Sequence, residues 1–120
     1  MRVYLDICCS RRPFDDQRQP RIREEAAAVA AIMALAETGE IELVRSPALS
    51  LVPEVEVRAA ALVALGFPPL DALHLALAEQ AAAAWFLTCD DRLTRLAARH
   101  REELRLEVAL PQVVAWRSRR

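Results

Sequence analysis

Three aspartates stand where a strand ends or a helix begins, positions from which a carboxylate can act on a ligand. Asp6 follows the bulky run Val3-Tyr4-Leu5. Asp71 follows Pro68-Pro69-Leu70 at the head of a strong helix pattern, and Asp90, with Asp91 beside it, follows Trp85-Phe86-Leu87-Thr88-Cys89. Taken singly, each has an ordinary explanation, because Asp caps helices and populates turns. Taken together, they could share one crevice. Like charges so placed raise one another's pKa and destabilise a fold unless a cation lies between them. Oxygen donors with no His or Cys at ligand spacing favour Mg2+ or Mn2+ over zinc. Such an ion lowers the pKa of a bound water and offsets charge on a phosphoryl oxygen, as phosphodiester hydrolysis requires.

The elements that must position these acids follow from periodicity and punctuation. Val3 to Leu5 reads as a buried strand ending at Asp6. Residues 10–20 form a polar, proline-bounded loop, and Arg11, Arg12, Arg18, Arg21 and Arg23 line this loop and the helix entry, where they offer phosphate contact. From Arg21 to Thr38, Ile22, Ala26, Val29, Ile32 and Leu35 mark a helix packed on one side and closed by Gly39. Ile41, Leu43 and Val44 make a second strand, after which Ser46-Pro47 turns the chain. Pro53 suits the first position of a helix that runs to Leu65, with Gly66 closing it. The Asp71 helix continues through an alanine run to a strand at Trp85 to Thr88. Leu93, Leu96 and Ala97 then mark a helix from Arg92 to His100, whose Arg92, Arg95 and Arg99 read as a solvated face. Leu104, Leu106, Val108 and Leu110 alternate as a half-exposed last strand, which Pro111 ends, and residues 112–120 read as a partial helical turn and an Arg-rich tail.

Strands alternating with helices imply a parallel sheet covered on both faces, with ligands beyond the carboxyl ends of the strands where the winding reverses. If the first strand and the strand at Trp85 are neighbours there, Asp6 and Asp90 lie side by side with Asp71 close by.

At 120 residues and 54% hydrophobic, the chain suits one domain spanning 1–120. No apolar run is long enough to cross a bilayer, and Arg2 breaks any signal-peptide pattern, so a cytoplasmic protein is expected. Cys8, Cys9 and Cys89 match neither a disulfide framework nor a zinc spacing. The net charge of −1 hides an uneven distribution: eight Arg and three acids lie from Arg92 onward, against two Arg and nine acids over residues 26–91. Every basic residue is Arg, whose planar donor set suits phosphate, although a biased coding composition would give the same preference.

Several of these pieces carry a resemblance. Val3-Tyr4-Leu5-Asp6 with Cys9 and Arg12-Pro13-Phe14-Asp15-Asp16-Gln17, then Asp71-Ala72-Leu73-His74-Leu75-Ala76, then Phe86-Leu87-Thr88-Cys89-Asp90-Asp91-Arg92-Leu93, resemble in this order a PIN domain of the kind found in VapC-type ribonuclease toxins. The resemblance implies a three-layer α/β/α fold around a central, mostly parallel sheet of four to five strands. It also implies endoribonuclease activity dependent on Mg2+ or Mn2+, dimerisation and often an antitoxin partner. By position, Asp6, Asp71 and Asp90 match the metal-binding, catalytic acids, with Asp91 as an extra candidate, Thr88 and Ser46 as supporting hydroxyls, and Arg11, Arg12 and Arg92 as RNA contacts.

One departure bears on activity. The family places a fourth acid a few residues after the serine that follows the second strand, and counting from Ser46 puts it near Val52, which is not acidic. Glu54, two positions on, is the nearest substitute, but two positions rotate a helix by about 200°. The segment from Pro53 to Gly66 is also short for the family. The leading expectation is therefore a metal-dependent endoribonuclease cutting single-stranded or looped RNA; the rival is a degraded PIN domain that binds protein or RNA without cutting. His74, one helical turn after Asp71, is expected to be a packed residue rather than a general base.

Overall fold

The computed structural model describes residues 1–6, 17–44 and 52–117, with side chains in the last helix only as far as residue 115. Four strands form one sheet: β1 (Arg2–Leu5), β2 (Glu42–Val44), β3 (Trp85–Leu87) and β4 (Glu107–Ala109). Around it lie α1 (Pro20–Glu37), α2 (Pro53–Leu65), α3 (Pro69–Gln80), α4 (Asp91–Arg99) and α5 (Pro111–Arg117). Every one of these helices except α4 opens with proline, whose missing N–H is one that no helical carbonyl could have accepted. Gly66 closes α2 in the left-handed region at φ 112°, which a residue with a Cβ adopts only under strain.

The strand order is β2-β1-β3-β4, and all three pairings are parallel. From β1 the chain passes to β2 on one side, then crosses to β3 on the other. The winding therefore reverses between β1 and β3, and the strands that end at Asp6 and just before Asp90 are direct neighbours.

Alternation along β1 and β3 sorts the core into two layers. Val3, Leu5 and Leu87 face α1 and α5, packing with Val29, Ile32 and Val114. Tyr4 and Phe86, opposite one another in the ladder, face the other side with Leu62, Leu75 and Leu93 of α2, α3 and α4, their rings stacked 5.0 Å apart. A three-layer α/β/α architecture results.

Two contacts orient α3 against β1. Arg2 Nη1 donates to the Ala81 carbonyl at the far end of α3 at 2.9 Å, while the Tyr4 hydroxyl shares a hydrogen bond with His74 Nδ1 near its start. The helix thus runs antiparallel to the strand, and its first turn lies at the strand's carboxyl end.

Two expectations shift. The last strand is only Glu107–Ala109 rather than 104–110, because the backbone N–H of Arg105 is drawn off to Glu79 Oε2 at 2.9 Å instead of joining a ladder. The tail after Pro111 is not a partial turn: seven residues form α5, held on α1 through buried Val114 and Ala115. Ser46, Arg11, Arg12 and the cysteines at 8 and 9 lie outside the described residues.

Candidate active site

At the carboxyl edge of β1 and β3, one hydroxyl ties two of the three acids together. Thr88 follows β3 on the same side as Phe86 and is fully buried. Its Oγ1 donates to Asp6 Oδ2 at 3.0 Å and accepts the backbone N–H of Asp90 at 3.2 Å. Asp6 is itself anchored by its backbone N–H, which donates to the Leu87 carbonyl at 2.9 Å. Thr88 thus links Asp6 to the start of the turn that carries Asp90.

Asp90 also has a local task. Its Oδ1 accepts the backbone N–H of Arg92 at 2.9 Å, making it the N-cap of α4, so the ordinary reading of this aspartate holds too. A carboxylate offers about four lone-pair positions, so neither the Thr88 bond on Asp6 nor the cap bond on Asp90 exhausts its capacity.

Asp71 sits in the first turn of α3, half-buried. Tyr4 and His74 are in contact, Asp6 lies two residues beyond Tyr4, and Asp71 lies one turn before His74. Because the helix and the strand are antiparallel, both steps lead to the same edge of the sheet. His74 itself is half-buried and packed on Tyr4, as expected of a structural histidine, although its partner is a tyrosine hydroxyl rather than backbone or carboxylate.

The fold brings the acids to one edge, but their side chains do not close on a point. Among the described residues, no three His, Cys, Asp or Glu side chains are grouped closely enough to hold a metal ion. Asp6 and Asp90 are each turned to a donor within the protein. The donor chemistry fits Mg2+ or Mn2+, since every candidate is a carboxylate or a hydroxyl.

The two remaining suggested ligands lie in different surroundings. Glu54 lies in the first turn of α2 beside Glu79 and Gln80, which end α3; because α2 and α3 form a hairpin, it stands at the opposite end from Asp71. Asp91 is engaged by Arg21, whose Nη1 and Nη2 donate to its two oxygens at 2.7 and 2.8 Å. Hydrogen bonding from Arg21 holds the Asp91 carboxyl below the usual carboxylate range, and the same pairing raises the Arg21 guanidinium.

Arg21 is the functional candidate that sequence reading placed only among loop arginines. Besides Asp91 it donates to the Cys89 carbonyl at 3.2 Å and to Glu25 Oε1 at 3.3 Å, so it spans the start of α1 and the β3–α4 turn that carries Asp90. Its i,i+4 spacing to Glu25 was visible in the sequence, but its reach across 70 residues to Asp91 was not. Beside this clamp is an open cleft of about 510 Å3 lined by Arg21, Glu25, Asp90, Asp91, Arg92 and Arg95.

A doubly wound parallel sheet with acids at its switch point defines a class of α/β proteins whose ligands sit beyond the strand ends. A family model described as PIN domain matches residues 18–99, more than half of the chain, and the protein belongs to the PIN domain family. The match takes in Asp71, Asp90 and Asp91 and begins after Asp6. Comparison with curated proteins found no match, and neither did comparison with solved structures. PIN domains are generally nucleases, and no helix among the described residues is long and apolar enough to cross a membrane.

Proposed function

We propose that this PIN domain is an endoribonuclease that hydrolyses RNA phosphodiester bonds with Mg2+ or Mn2+, acting in the cytoplasm as the toxin of a toxin-antitoxin pair. The observation that carries the reading is the Asp6-Thr88-Asp90 link at the point where the winding reverses. Asp6, Asp71 and Asp90 would hold the metal, which when bound supplies a water of lowered pKa and positive charge for the phosphoryl oxygens. Thr88 holds Asp6 in place, Arg21 holds the turn that carries Asp90, and the Tyr4-His74 contact sets the height of Asp71. Phosphate-binding arginines would position the backbone without reading bases. Val57 and Leu70, 72% and 67% exposed on the α2–α3 hairpin, support a homodimer or an antitoxin contact on that side.

A second reading, a PIN domain that binds without cutting, is favoured by Val52 in the place of an acid and by Glu54 standing at the far end of the hairpin. Incubating the protein with a labelled single-stranded RNA separates the two. The enzyme cuts with Mn2+ or Mg2+, stops with chelator, and loses activity by about 100-fold or more in Asp6→Asn. RNA left intact in every condition, by a protein that still binds it, would sink the nuclease reading.

A further inference from the structure

Among the described residues, four arginines face acids in ion pairs and three others stand together on one helix, while Arg23 and Arg105 are exposed elsewhere. Arg2, Arg21, Arg58 and Arg101 face Glu42, Asp91, Glu79 and Glu107, so each is spent on an ion pair. Arg92, Arg95 and Arg99 are exposed and make no ion pair among the described residues. All three lie on α4, the helix that begins at Asp90. At 3.6 residues per turn they fall within about 60° of one another around the helix, with steps of about 4.5 and 6 Å along its axis. Leu93 and Ala97, both buried, hold the opposite side of α4 to the core and so fix which way the row faces.

A row of this kind could be only a solvated face. What argues otherwise is where it starts and what stands beside it. Arg92 and Arg95 line the same open cleft as Asp90, so the row leads directly away from the candidate site. Asp91, the acid nearest to Arg95 on this helix, feels the charge of Arg95 but is held by both Nη groups of Arg21, and makes no ion pair with Arg95. Arginine's fork of donors matches phosphate oxygens, and successive phosphates of one strand present the complementary row of charge.

We propose that Arg92, Arg95 and Arg99 form a rail that holds the sugar-phosphate backbone of single-stranded RNA as it leaves the carboxylates. This rests on the nuclease reading for its substrate, but it concerns binding and needs no metal. The rail contributes grip and direction, not base recognition.

The test measures fluorescence anisotropy of a labelled, mixed-sequence, single-stranded 20-nucleotide RNA in chelator, so that nothing is cut. Arg92→Gln/Arg95→Gln/Arg99→Gln is compared with Arg2→Gln/Arg101→Gln/Arg105→Gln, which removes the same charge elsewhere. The rail triple should bind about tenfold or more weakly, and its plot of log affinity against log salt should flatten by about two units, while the control triple keeps most of both. Gln is a good helix former, and thermal unfolding of both triples verifies the fold. Arg95→Gln alone should give a smaller loss that Arg95→Lys largely restores. Equal losses in the two triples, or displacement of the RNA by polyglutamate from the rail triple and the wild type alike, overturn the rail. If the wild type cuts RNA and the rail triple binds and cuts as well as it does, the rail falls and the nuclease stands; if nothing cuts but the rail triple alone loses RNA, the nuclease falls and the rail stands.

Discussion

At the amino edge of the sheet, Glu79 closes α3 with its side chain almost wholly buried, 1% exposed, and both of its oxygens are taken. Arg58 reaches Oε1 at 2.6 Å and Oε2 at 3.2 Å, and the Arg105 N–H donates to Oε2 as well. Arg58 Nη2 also donates to the Glu103 carbonyl at 2.6 Å. At the carboxyl edge, Asp91 and Arg21 also make a two-point pair but are 44% and 48% exposed, and Asp6 and Asp90 take hydrogen bonds from Thr88 and the Arg92 N–H. The same residue types thus serve two ends. Where donors and acceptors are matched and dry, an ion pair ties elements together; where they are half-wet, solvent and ligands can reach the carboxylates.

The comparison breaks most visibly at the amino edge. Glu79→Ala leaves Arg58 without its carboxylate and the Arg105 N–H without an acceptor, and should destabilise the fold by about 3–5 kcal/mol. Chemical denaturation reads this as a lower midpoint with an unchanged slope, while RNA binding by protein that remains folded stays as in the wild type. A stability loss well under that range would mean that this pair belongs with the surface ones.

Thr88→Val comes next. It keeps the shape of the side chain and removes the hydroxyl that joins Asp6 to the Asp90 N–H. Stability should fall by about 1–3 kcal/mol, since buried polar groups lose their partner. Mn2+ affinity, measured calorimetrically, should fall by about 10–100-fold, as for other losses of groups that orient a ligand. If stability falls and metal affinity does not, Thr88 is merely a structural tie.

Asp91→Asn should have the smallest effect, because its pair is half-exposed and screened. Its value lies in its pH dependence. The folded carboxyl is held below its usual range, so its contribution to stability is present above the unfolded-state pKa of about 3.9 and is lost as the pH falls through the lower folded value. The difference in melting temperature between wild type and Asp91→Asn should therefore be constant near neutral pH and close as the pH falls below about 4. A difference that widened in acid would contradict the assigned pairing.

Much of the fold was legible in the order of residues. The prolines at 20, 53 and 69 mark helix starts, Gly66 marks an end, and the alternation through Val3-Tyr4-Leu5 and Trp85-Phe86-Leu87 sorts each strand's two faces. These are local effects, written in backbone sterics and in a period of two or about 3.6. The positions of Asp6, Asp71 and Asp90 at element ends follow from the same local rules.

Partnership was decided only by the tertiary structure. Nothing near Thr88 says that Asp6 lies across from it, nothing near Arg21 points to Asp91, and Glu54 looks close to the site along the chain yet folds to the other end of the α2–α3 hairpin. The physical reason is that apolar strands of similar composition can pair in several orders, whereas hydrogen bonds and ion pairs depend on one order and one register. Short-range preferences determined which residues point inward and where each element stops; the arrangement that packs both faces of the sheet at once determined which acids lie at one edge and which are already answered by arginine.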